Sequence, residues 1–76
     1  MNKARRKTLA EIADQLEALK GELESVLSEE EEYRDNIPEN LQGGERYERA
    51  DEACGNLAEA VSQLEDAISS IETAME

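Results

Sequence analysis

The sequence predicts an all-α fold: an antiparallel two-helix coiled-coil hairpin that dimerises into a four-helix bundle. Two segments repeat apolar residues at alternating steps of three and four, the spacing of a heptad coiled coil. A short stretch with the only proline and a double glycine separates them. The two repeats also match when the chain folds back on itself. We therefore expect one domain spanning 1–76, with helix one at about 3–36, a loop at about 37–44 and helix two at about 45–75.

Heptad positions, labelled a to g, place the apolar residues of both segments at a and d. The a and d positions of the first segment are Leu9, Ile12, Leu16, Leu19, Leu23, Val26, Glu30 and Tyr33. Those of the second segment are Tyr47, Ala50, Cys54, Leu57, Val61, Leu64, Ile68, Ile71 and Met75.

The loop is predicted by residues that disfavour helix. Pro38 disfavours helical geometry at the residue before it, and Gly43 and Gly44 are poor interior helix residues. Pairing residues whose numbers add up to eighty sets an a position against a d position in eight successive layers. This register pairs Tyr33 with Tyr47 in the layer nearest the loop.

The net charge of -12 arises from 20 acidic and 8 basic residues. So negative a surface repels nucleic acid and anionic membranes, and favours basic partners or simply solubility. No apolar run reaches the length of a membrane span, and we expect a cytoplasmic protein. The basic start is expected to lie beside Glu72 and Glu76. Its residues are Lys3, Arg5, Arg6 and Lys7.

Residues that perform chemistry are scarce. The chain has no histidine and one cysteine, Cys54, which we expect in the core opposite Val26. We therefore expect no enzyme, cofactor or metal site. The glutamates at 29–32 are interpreted as a solvated face, with loose binding of divalent cations as the alternative. Glu30 is expected at the edge of the core, near Arg34, Arg49 or Tyr47.

Four alanines recur every seven residues on the second segment, at position g. Small side chains in one column let another helix approach closely, which indicates a face for a second copy of the chain. The alternative is that alanine is simply the best helix former. The candidate oligomer face consists of Ala53, Ala60, Ala67 and Ala74.

The loop carries the largest apolar cluster found at one end of the hairpin. It either caps the last core layer or forms a recognition tip for a protein partner. The candidate tip consists of Tyr33, Ile37, Pro38, Leu41 and Tyr47.

With the loop stretches EEEYRDNIPENLQ and ERYERADEA and the basic start KARRK, the chain resembles a group of small, acidic, uncharacterised bacterial helical-hairpin proteins. These are often encoded in or near mobile genetic elements. The resemblance implies a bacterial cytosolic protein and assigns no activity, substrate or catalytic residue.

The function that these patterns favour is a self-associating structural or adaptor module without enzymatic activity. A dimer is the favoured assembly, and a protein partner would dock on the alanine column or on the tip. The alternative is an acidic inhibitor that mimics nucleic acid and binds a basic DNA-binding protein.

Overall fold

The protein forms two long helices that lie against each other and are joined by one short turn. In the computed structural model, which describes all 76 residues, α1 spans Lys3–Asp35 and α2 spans Glu45–Ala74. A single 3-10 turn, Glu39–Leu41, lies between them. The molecule measures 59 × 15 × 13 Å, so it is one helix pair thick. The prediction of an all-α fold of two packed helices is confirmed.

The free end of the hairpin joins the start of α1 to the end of α2. Asn2 caps α1, where its side-chain oxygen accepts a hydrogen bond from the Arg5 amide at 2.8 Å. The Nε of Arg6 donates to the backbone oxygen of Met75 at 3.1 Å. That carbonyl belongs to the negative end of the α2 dipole, so the contact is electrostatically favourable.

The basic start lies beside the end of α2, as expected, but it forms no ion pair with Glu72 or Glu76. No side chain of the basic start forms an ion pair with an acidic residue. Both groups are exposed at the end of the molecule, where ordering two long side chains is not offset by the weak attraction in water.

The turn folds Ile37 inward beneath the ends of both helices. Its side chain is 2% exposed, the lowest value in the chain, and its amide donates to the Arg34 oxygen at 3.2 Å. The Leu41 amide donates to the Pro38 oxygen at 2.8 Å and closes the 3-10 turn. The side-chain amide of Gln42 donates to the Ile37 oxygen at 3.3 Å. The turn is therefore held by its own hydrogen bonds around one buried side chain.

The seam of α2 uses the a and d positions that its heptads predict. Each of them is buried or half-buried against α1. The buried ones are Ala50, Cys54, Val61 and Ile68.

The seam of α1 does not use the predicted d positions, and this is the main correction to the predicted packing. Ile12 is 38% exposed, Leu19 54%, Val26 50% and Tyr33 45%. The residues that face α2 occupy positions a and e instead, as their burial shows. They are Leu9, Ala13, Leu16, Lys20, Leu23, Leu27, Glu30 and Arg34.

Contacts between the helices join residues whose numbers add up to between about eighty and eighty-five. Arg46 over Tyr33 and Arg6 at Met75 lie close to the predicted total of eighty. Lys20 reaches Glu65 at 3.7 Å and Arg34 reaches Asp51 at 3.0 Å, and each of these pairs adds up to eighty-five. The difference of five residues corresponds to about 7.5 Å along a helix, which these long side chains span. Lys20 and Arg34 lay their aliphatic stems on the seam while their charged ends meet acids beside it.

Two interior glycines offer a test of helix stability that leaves the packing untouched. Gly21 in α1 and Gly55 in α2 are exposed, and an added methyl group would meet no atom within 4 Å. We expect Gly21→Ala and Gly55→Ala each to raise the free energy of unfolding by about 1 kcal/mol, because alanine loses less backbone entropy in a helix. Urea denaturation monitored by circular dichroism measures the change, and an unchanged midpoint would contradict the helical assignment at that position.

Candidate interaction face

One side of the hairpin carries two parallel columns of apolar side chains, which we call the apolar face. Each column repeats every seven residues, so its members stay aligned along a helix that packs against a neighbour. The first column is the exposed d stripe of α1, and the second is the alanine column of α2. The columns consist of Ile12, Leu19, Val26 and Tyr33, and of Ala53, Ala60, Ala67 and Ala74.

Contacts across the hairpin place the two columns on the same side. The guanidinium of Arg46 lies over the Tyr33 ring, 5.5 Å from its centroid. Arg46 stands seven residues before Ala53 and so begins the alanine column. Further along, a shallow groove is lined by Leu19 and Val26 from α1 and by Leu64 from α2. The two columns therefore lie on one side of the hairpin, where Glu22 also lines the groove.

The opposite side, which we call the ion-pair face, carries the bridges between the helices. There Lys20 lies between Glu17, at 3.1 Å, and Glu65 of α2. The bond to Glu17 and, after it, the charge of Glu65 raise the pKa of Lys20. The hairpin thus has its ion pairs between helices on one side and its exposed apolar columns on the other.

On this same face Arg34 bridges Asp35 of its own helix and Asp51 of α2. Its pKa is raised by the hydrogen bond to Asp35 first, with a smaller contribution from Asp51. The two bridges, one at the middle of α1 and one at its loop end, lie on the side of α1 that turns toward α2. The d stripe is left without a partner as a result.

The acidic residues of α2 avoid the apolar face. All eight lie at heptad positions b, e and f, and none at g or at c, the next column outward. The c column holds Arg49, Asn56, Gln63 and Ser70. In a chain of net charge -12, a surface strip four heptads long without a single acid is unusual. Such a strip would suit contact with a second negatively charged molecule, because acids placed there would repel it.

The alanine column is graded in exposure along its length. Ala53 and Ala60 are half-buried by the neighbouring helix, whereas Ala67 and Ala74 are exposed. The predicted oligomer face is therefore accessible over its second half and partly covered near the loop. Sequence reasoning placed the α1 stripe in the core and so missed that it completes this face.

The candidate tip is divided by its burial. Ile37 is closed to a partner, while Leu41 is 51% exposed and Pro38 is exposed beside it. Tyr47 is half-buried, and Tyr33 lies under Arg46 rather than in a core layer. The accessible part of the tip is therefore Tyr33, Pro38 and Leu41.

The single cysteine lies in the seam, as predicted, but not opposite Val26, which is exposed. Burial raises the pKa of the Cys54 thiol, and the nearby charge of Arg34 only partly offsets this. The thiol is thus neutral near pH 7, and a neutral thiol is a weak nucleophile.

Glu30 is half-buried and lines a groove near the loop with Tyr33, Arg46 and Arg49. Two of its expected partners bind other carboxylates, since Arg34 pairs with the aspartates at 35 and 51, and Arg49 with Glu45. No three side chains of His, Cys, Asp or Glu cluster in a way that could hold a metal ion.

Comparison of the chain with known proteins finds no match among family models, curated proteins or solved structures. The resemblance to acidic bacterial hairpin proteins therefore stays a prediction. Neither helix combines the length and the apolar character that crossing a membrane requires.

Proposed function

We propose that the protein is a non-enzymatic, self-associating helical hairpin, and that two copies join through their apolar faces to form a four-helix bundle. The observation that carries the proposal is the exposed heptad stripe on α1. A heptad repeat of large apolar residues is typical of a helix packed against a second helix. In the single hairpin this stripe has no such neighbour.

The surface area of the hairpin supports an assembly of about this size. The single chain exposes 5550 Å². A compact monomer of the same mass exposes about 4,700 Å², so roughly 850 Å² of surface is in excess. A standard protein interface buries about 800 Å² on each partner. The excess is therefore comparable to the area that each copy would bury in a standard interface.

The core supports the same conclusion. Only 6 of the 76 residues are buried, and the largest of them are isoleucines. Such a thin seam offsets little of the conformational entropy lost on folding, and small chains without disulfides or metals are commonly stabilised by association. A second copy would cover the α1 stripe and give the protein a central core.

Sedimentation equilibrium of the purified chain across a hundredfold range of concentration tests the proposal. We expect a mass close to twice 8.5 kDa at micromolar concentration and above. Because the contact is apolar, the dimer should persist in 0.5 M salt, at which charge interactions across exposed surfaces are largely screened. A mass of one chain at every concentration would overturn it.

A second candidate function is an acidic inhibitor that imitates nucleic acid. It is favoured by the concentration of the acids of α2 on the b, e and f columns, which gives a continuous negative surface away from the apolar face. Binding to a cationic DNA-binding protein should then compete with DNA and weaken steeply with salt. If the chain did not bind such a protein, or bound it with an affinity that does not change with salt, the nucleic-acid mimic would be excluded and the self-associating module would remain as the proposed function.

A further inference from the structure

We propose that the two copies dock with their loops at the same end, so that the α1 stripe of each copy packs on the alanine column of the other. This arrangement rests on the proposed function. It is a two-fold pairing in which the symmetry axis runs along the bundle and every neighbouring pair of helices is antiparallel. The opposite arrangement, with loops at opposite ends, sets α1 against α1 and α2 against α2.

Packing favours loops at the same end. Within a hairpin, contacts between α1 and α2 join residues whose numbers add up to between about eighty and eighty-five, so residues with such totals lie at nearly the same level. The four stripe residues and the four alanines then fall at matching levels, each pair within one helical turn. The matched pairs are Tyr33 with Ala53, Val26 with Ala60, Leu19 with Ala67, and Ile12 with Ala74.

A rotation about the bundle axis keeps these levels and sets every large side chain of one copy against a small one of the other. Large-against-small contacts fill a helix interface evenly. The opposite arrangement would oppose large to large on one side and alanine to alanine on the other. The two helix pairs would then need different separations, close for alanine and wide for the stripe.

The charges at the edges of the apolar face point the same way. With the loops together, the outer edge of α1, which carries Glu22, Glu29 and Glu32, lies along the acid-free outer edge of α2 in the other copy. At matching levels Glu32 approaches Arg49, and the other two approach uncharged amides. The amides belong to Asn56, level with Glu29, and Gln63, level with Glu22.

With the loops at opposite ends, the acidic edges of the two α1 helices run along each other. When the two α1 stripes are aligned over their full length in opposite directions, Glu22 of one copy lies close to Glu22 of the other, near the centre of the interface. Like charges held together at an interface oppose association. Charge and shape therefore favour the same arrangement for independent reasons.

A distance between the two loop tips distinguishes the arrangements. The probe is a nitroxide spin label on Asn40→Cys, which is exposed, in a Cys54→Ala background. Pulsed electron spin resonance on the dimer should give a separation of roughly 20–30 Å, set by helix spacings of about 8–10 Å and the label linkers. A separation near the 59 Å length of the molecule would overturn the arrangement but leave the dimer intact.

A charge exchange provides the second readout. Arg49→Glu should weaken dimerisation about tenfold, since two symmetry-related attractions become repulsions. Combining it with Glu32→Arg should restore the affinity to within a few-fold. Failure of the double variant to recover, with the single variant weakened, would contradict the contact. A wild-type chain that is monomeric in the same experiments would overturn the proposed function itself.

Discussion

Replacing Leu19 and Val26 together with glutamate is expected to abolish dimerisation at concentrations where the wild-type chain is fully dimeric. Both side chains are about half exposed in the single hairpin and lie at the centre of the apolar face. Their loss leaves the seam to α2 intact but places four carboxylates in the dimer interface. A buried unpaired carboxylate costs several kcal/mol, so we expect a loss of at least a thousandfold in affinity.

The matched control adds the same charge elsewhere. Ser62→Glu with Ser69→Glu introduces two carboxylates at exposed b positions of α2, away from the apolar face. Sedimentation equilibrium should show this variant as a dimer and the Leu19 and Val26 variant as a monomer. If both variants remained dimers, the apolar face would not be the interface.

Replacing Ile37 with serine is expected to lower the free energy of unfolding by about 3 kcal/mol. Truncating a buried isoleucine typically costs 2–5 kcal/mol, and the serine hydroxyl would also need a partner beneath the helix ends. Ile37 is the most buried residue and anchors the turn through its backbone bonds to Arg34 and Gln42. Urea denaturation at fixed protein concentration measures the loss.

Leu41→Ser is the matched control, since it makes a comparable substitution four residues along the same turn. Leu41 is half exposed, so its replacement should change the free energy of unfolding by less than about 0.5 kcal/mol. Equal losses of unfolding free energy in the two variants would contradict the conclusion that Ile37, and not Leu41, stabilises the fold. If Leu41→Ser kept the stability but lost a protein partner, the exposed tip would be a recognition site.

The two helices and the turn between them follow from signals that act locally. Heptad spacing indicates which residues share a face of a helix, and a proline followed by glycines indicates where the first helix ends. For α2 these signals also identify the seam, because its only wide apolar arc is a, d and the small g column. Alanine at g can flank the seam without competing for it.

For α1 the same signals leave the seam ambiguous. Apolar residues fill columns a and d, while column e alternates Ala13 and Leu27 with Lys20 and Arg34. From polarity alone, Lys20 and Arg34 are predicted to be surface residues. In the structure their aliphatic stems pack on α2 and their charged ends reach Glu65 and Asp51. Those contacts depend on the partner helix, so the sequence of α1 alone does not predict them.

The candidate face shows the same limit. The alanine column was visible in the sequence as a repeat, but its companion stripe was assigned to the core. Heptad letters do not tell which apolar column faces the partner helix of the hairpin and which faces outward. The d stripe is distinguished from the seam by the ion pairs between the two helices. The pattern of one helix alone does not predict these pairs.

The central claim is that the apolar face is buried between two copies, and thiol labelling at two nearby alanines tests it most directly. Ala60 lies on the apolar face, whereas Ala58, two residues earlier on the same helix, is exposed on the other side. In a Cys54→Ala background, Ala60→Cys should be alkylated more slowly as protein concentration rises through the dimerisation range. Ala58→Cys should react at the same rate throughout. A rate at Ala60→Cys that does not change with protein concentration, in a chain shown to dimerise, would contradict the claim.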